Sequence, residues 1–123
     1  MKIINLTPHV INVHTPSGVI SFPASGSVAR VETKQALLKN LPGGIPVFIQ
    51  EYGEVTGLPE DDPSDDGTET GHFETYYLVS ALVRAACPSR FDLLSPGELV
   101  RDEEGNPVGC KGLVQNYPTV TFS

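Results

Sequence analysis

Apolar and polar positions alternate along most of this chain with a period of two. In Val10–His14, Val10, Asn12 and His14 fall on one side and Ile11 and Val13 on the other, as in a half-buried strand. Thr15-Pro16-Ser17-Gly18 is a turn by composition, and Val19–Phe22 returns as the second arm of a hairpin. Lys2–Leu6 is a further short strand, separated from the first arm by Pro8, which has no backbone N–H to donate.

The same reading carries on to the carboxyl end. Ser27–Val31 is a short strand with Val28 and Arg30 on one face and Ala29 and Val31 on the other. Lys34–Asn40, KQALLKN, behind a capping Thr33, predicts a one- or two-turn helix that ends before Pro42-Gly43-Gly44, with a loop as the alternative. Ile45–Tyr52 is a strand, broken at Gly53 and continued by Glu54–Leu58. Thr75–Val79 predicts a strand, Ser80–Cys87 a short helix stopped by Pro88, and Leu99–Asp102 with Pro107–Val114 a hairpin tipped by Glu103–Asn106. Thr119–Phe122 is a last strand at an edge. The sum is a mainly β chain with one or two short helices, a β-rich α+β fold. It is expected to form one compact domain over 1–123, built on a small sheet or a barrel-like arrangement.

Charge changes this picture in one place. Residues 60–74 hold seven acids (Glu60, Asp61, Asp62, Asp65, Asp66, Glu69, Glu74) and no base, leaving eight acids against eight bases elsewhere. Such a stretch cannot bury enough apolar surface to offset its ordering entropy, so it is expected to be a mobile, solvated surface loop. Asp62, Ser64, Asp66 and Gly67 imitate part of a calcium loop, but Phe73 stands where a bidentate acid is needed. A sequence pI near 4.7 argues against a duplex nucleic-acid binder that neutralises many phosphates. It leaves room for a small anion held by a few local arginines.

Cys87 and Cys110 lack the spacing of a zinc site and read as reduced core thiols. His9, His14 and His72 are scattered, so neither a metal nor a cofactor is expected. The amino-terminal stretch is neither a secretory signal nor a spanning segment, and the expected setting is cytoplasmic with no membrane partner. No GxSxG elbow, Walker loop or GxGxxG is present.

The chemistry that the chain does offer gathers at Thr75–Glu98. Ser80 is placed to cap the helix, whose first-turn amides and dipole favour an anion. Arg84 follows one turn on, and Arg90 follows the Pro88 stop with Asp92 two residues later. A guanidinium fork matches phosphate geometry. Asn5, Thr7 and His9, on the bend made by Pro8, are candidates for the opposite wall. For each residue the structural alternative stands beside this one: a helix cap, a local ion pair, a turn satisfied by its own side chains.

NLTPH at 5–9, PASGSVARV at 23–31, GEVTGLPE at 53–60, YYLVSALVRAACPSRFDLLSPGE at 76–98 and RDEEGNPVGCKGL at 101–113 resemble a group of small proteins common in bacteriophages and prophages. The NLTPH motif and the YxVSxLVxxAxPxRxDLLxPG segment carry most of the likeness. Relative to that group the loop 61–74 looks like an insertion. The resemblance implies a phage-type accessory protein acting in the host bacterial cytoplasm. The expected role is to bind and sequester a small phosphate-bearing, nucleotide-derived immune signal without catalysis, at Ser80, Arg84, Arg90, Asn5, Thr7 and His9. A structural or interaction protein contacting a virion or host protein is the alternative, and an enzyme that degrades such a signal the second alternative. A homo-oligomer is expected, since open sheet edges pair and a second subunit easily completes a site.

Overall fold

A computed structural model describes residues 1–60 and 73–116. In chain order the elements are β1 (Lys2–Asn5), β2 (Ile11–Thr15), β3 (Gly18–Phe22), β4 (Arg30–Leu41), β5 (Ile45–Thr56), β6 (Thr75–Leu78), α1 (Ala81–Ala86), β7 (Leu93–Arg101) and β8 (Pro107–Gln115). The chain is mainly β, with its principal sheet curled into a half-barrel.

Six strands form that sheet in the order β1-β6-β7-β8-β2-β3. β1 runs parallel to β6 and β6 to β7, so the chain must cross over between β6 and β7, and α1 lies within that crossover. β7 turns back antiparallel onto β8, β8 lies parallel to β2, and β2 closes onto β3 as a hairpin. Leu6, Ala29, Val79, Val83 and Leu93 form the buried core. Ile4, Val31, Val55, Leu58, Tyr77 and Cys87 pack around them. Val83 is the helix's buried contribution to that core, while Leu82 beside it stays half exposed.

β4 and β5 form a separate two-stranded ribbon of twelve-residue strands. This corrects the expectation of a helix over Lys34–Asn40, which lies wholly within β4. Leu37 pairs with Phe48, Ala36 with Ile49 and Gln35 with Gln50. Local preference for helix in Ala, Leu, Lys and Gln amounts to a few tenths of a kcal/mol per residue, and a strand partner that begins four residues after the segment's own strand ends outweighs it. The turn between them favours the same outcome. Pro42 and Gly43 occupy the two central positions, Gly43 takes φ +88°, and the Gly44 amide donates to the Leu41 carbonyl at 3.1 Å, the pattern of a type II turn.

Further boundaries also move. The strand expected over Ser27–Val31 begins only at Arg30, Glu54–Thr56 continue β5 past Gly53 across a shift in register, and β7 starts at Leu93 rather than Leu99. Phe73, assigned by its acidic neighbours to a solvated loop, is buried with its ring 5.5 Å from that of Tyr76 in an edge-on contact. Residues 61–72, including His72, and the strand expected over Thr119–Phe122 lie outside the described residues.

The ribbon is anchored at its open end. Val31 and Val55 pair with each other and pack on the core. At Gly57, φ is +78°, and a Cβ there would come within 2.3 Å of the Val28 carbonyl oxygen. Only glycine lets the chain leaving β5 pass so close to the segment entering β4.

Candidate functional site at the strand to helix junction

The amino-terminal bend is held by its own side chains. Asn5 is buried at the end of β1; its amide nitrogen donates to the carbonyls of His9 and Phe22, both at 2.8 Å. Its Oδ1 accepts from the Thr7 amide at 2.9 Å and the Thr7 hydroxyl at 2.7 Å. With Pro8 unable to donate, these bonds close the bend that backbone pairing cannot. Leu6 meanwhile donates to the Leu78 carbonyl and accepts from the Ala29 amide, which brings the bend, β6 and the entry to β4 together.

At the other wall of this meeting point stands Ser80. Its backbone is extended and its hydroxyl accepts from the Val83 amide at 3.2 Å, the N-cap expected from the sequence. The helix is six residues long and its far end is capped by a residue that the sequence reading missed. Asn116, buried just beyond β8, directs its amide nitrogen at the carbonyls of Arg84, Cys87 and Arg90 at 3.1, 2.8 and 3.1 Å. Its Oδ1 accepts from the Arg84 guanidinium at 3.1 Å, and Arg84 Nε donates to the buried Ser95 hydroxyl at 2.7 Å. Arg90 makes a two-pronged pair with Asp92, at 2.9 and 2.8 Å.

The six candidate residues therefore divide. Arg84 and Arg90 are drawn not to the Ser80 end but to the neighbourhood of Asn116 at the carboxyl end of α1, with both guanidinium groups engaged by protein partners. Asn5 and Thr7 are buried and bonded to one another, and His9 is exposed with its carbonyl taken by both of them. Only Ser80 opens onto a recess shared with the bend. Among the described residues no buried side-chain nitrogen or oxygen lacks a hydrogen-bond partner, so these networks are closed.

Burial raises the Cys87 thiol above its ordinary pKa; Arg90 opposes that shift and Asp92 adds to it. A thiol held protonated in this way is a poor nucleophile at neutral pH. Both cysteines are free, Cys110 buried and Cys87 partly so.

The recess has a volume of about 220 Å³ and is lined by Pro8, Val28 to Val31, Ser80, Leu82 and Val83. It joins three of the sequence stretches quoted above, NLTPH, SVARV and VSALV. Among the described residues Arg30 is its only cationic lining residue. That side chain is exposed, and no hydrogen bond or ion pair engages its guanidinium among the described residues. The signal for it was present in the strand pattern, which set Arg30 on one face with Val28, away from Ala29 and Val31. Asn116 left no such signal, because its partners lie 26 to 32 residues away.

A larger recess of about 500 Å³ lies on the ribbon, where Glu32 and Glu51 face a single Lys34, a poor balance for a phosphate. No family model matches the chain, and comparison with the curated proteins and with the solved structures gives no match either. No helix among the described residues is long and apolar enough to cross a membrane.

Proposed function

We propose that this chain is a non-catalytic binding protein that captures a small phosphate-bearing, nucleotide-derived signal, in the phage-type accessory role that its sequence resembles. The observation that carries this reading is Arg30: a guanidinium with no partner among the described residues, on the rim of a recess shared with Ser80 and Pro8. A charged fork with free donors suits phosphate, whereas Arg84 and Arg90 serve the fold. At about 220 Å³ the recess falls below the usual range for a whole small-molecule pocket, roughly 300–1,000 Å³. It fits one phosphate end of a ligand whose remainder extends over the apolar rim formed by Pro8 and Leu82.

The test is incubation with a panel of cyclic dinucleotides and ADP-ribose derivatives, with mass spectrometry before and after heat denaturation. Capture returns the bound compound intact, and an enzyme returns product under excess substrate. Losing one charge-assisted contact in Arg30→Ala weakens retention by about tenfold to a hundredfold with the unfolding transition unchanged. Binding of no compound in the panel, or equal retention by Arg30→Ala, removes the proposal. The exposed apolar ribbon favours a second reading, in which the protein acts by contact with another protein chain.

A further inference from the structure

The β4–β5 ribbon has no account in the capture of a small ligand. The register places Leu37, Phe48 and Tyr52 on one face and Leu41, Ile45 and Ile49 on the other, and each of the six is between 41 and 57% exposed. Two strands alone are at best marginally stable in water, and a ribbon apolar on both faces gains nothing from solvent on either. Beyond the anchor at Val31 and Val55, so much exposed apolar surface marks a contact face.

We propose that the ribbon of a second copy of this chain covers the face of Leu41, Ile45 and Ile49, which also carries Lys34, Lys39 and Glu51, laid so that β4 of one copy meets β5 of the other. Charge supplies the first reason. β4 carries Arg30, Lys34 and Lys39 against Glu32, while β5 carries Glu51 and Glu54 and no cation. Like strands repel and unlike strands attract, which selects the crossed arrangement and makes one surface complementary to its own copy. Area supplies the second. One ribbon covers one face, where Leu41, Ile45 and Ile49 offer roughly 80 to 100 Å² each, so two copies bury roughly 500 to 600 Å² from these three residues. Ala36, Val47 and the stems of Lys34 and Lys39, on the same face, extend that contact toward the roughly 1,200 Å² at which specific dimers begin.

Light scattering coupled to size exclusion, over a concentration series from micromolar upward, reads the proposal directly. The unaltered chain is expected at a multiple of its 13.2 kDa mass. Ile45→Asp and Ile49→Asp, at exposed positions of that face, each raise the dissociation constant about thirtyfold or more, and the double variant runs as a folded monomer. Glu51→Lys with Glu54→Lys weakens association, and adding Lys34→Glu with Lys39→Glu restores it, which pins β4 onto β5. Hydrogen exchange on the unaltered protein decides the matter independently of any variant's folding: ribbon amides gain protection as concentration rises. An unaltered chain that stays monomeric throughout overturns the proposal. So does a folded double variant of unchanged mass, or ribbon exchange independent of concentration.

Discussion

Two ion pairs in this protein have the same chemistry and opposite surroundings. Arg90 and Asp92 meet at 2.8 Å with 17% and 1% of their side chains exposed; Lys34 and Glu51 meet at 3.6 Å with 78% and 44% exposed. The first lies in the body beside α1, where polar side chains are buried and satisfied by one another. The second lies on the ribbon, where large apolar side chains face water. Burial is thus reversed between the two regions: the body hides polar groups that serve the fold, and the ribbon displays apolar groups that do not. A polar cluster is a sign of function only where its bonding capacity is left over, and an apolar surface only where nothing covers it.

The sharpest break in that comparison is Arg90→Ala. It leaves the Asp92 carboxylate buried without the guanidinium that holds both its oxygens, a change of about 3–5 kcal/mol. Small domains have about 5–15 kcal/mol in all, so the urea midpoint is expected to fall by about a fifth or more. A midpoint within a tenth of the parent's would show that the pair is dispensable, and with it the structural assignment of Arg90. Asn116→Ala comes next. It removes the donor to three carbonyls and the acceptor for Arg84, and leaves buried backbone oxygens unpaired, a loss of about 1–3 kcal/mol in the same titration.

These two residues also show how far the sequence could be read. Arg90 and Asp92 lie two apart, and their pairing was open to inspection as the structural alternative to a ligand site. Ser80 was legible as a cap for the same reason: its partner is three residues away. Asn116 acts across the fold, and no local pattern announces which distant carbonyls a buried amide will meet. The strands of the sheet were legible because one buried face imposes a period of two on each. KQALLKN was misread because neither face of the ribbon is covered within one copy, so no alternation of burial was available to overrule its helix propensity. Arg30 was visible on its strand face, but its isolation became apparent only when Arg84 and Arg90 were seen to be engaged.

Ser80→Ala is expected to cost about 1 kcal/mol and Ser80→Gly only a few tenths, the ordering of a helix cap. If glycine proved as damaging as alanine, the hydroxyl's bond to Val83 would not be what the residue contributes. Cys87 gives the corresponding pH test. Because its thiol is raised in the fold, the unfolded chain ionises first, so the contribution is complete at neutral pH and is lost as pH climbs from the ordinary thiol range toward the raised value. Alkylation of the folded protein should therefore accelerate at higher pH than alkylation of the urea-unfolded chain, and coincident profiles would contradict the shift.

The smallest effect is expected at the other ion pair. Lys34→Ala removes a contact between two well-solvated side chains, whose attraction water and salt screen and whose ordering offsets most of what remains. In a dilute, monomeric chain the change should fall within about 0.5 kcal/mol and vanish in high salt. The same substitution gains weight only if a second ribbon excludes water from Lys34, since desolvation strengthens a charge contact without altering its partners. A Lys34→Ala effect that grows with protein concentration would therefore locate the ribbon at an interface. An effect equally small at every concentration would leave this pair a surface contact and separate it fully from Arg90 and Asp92.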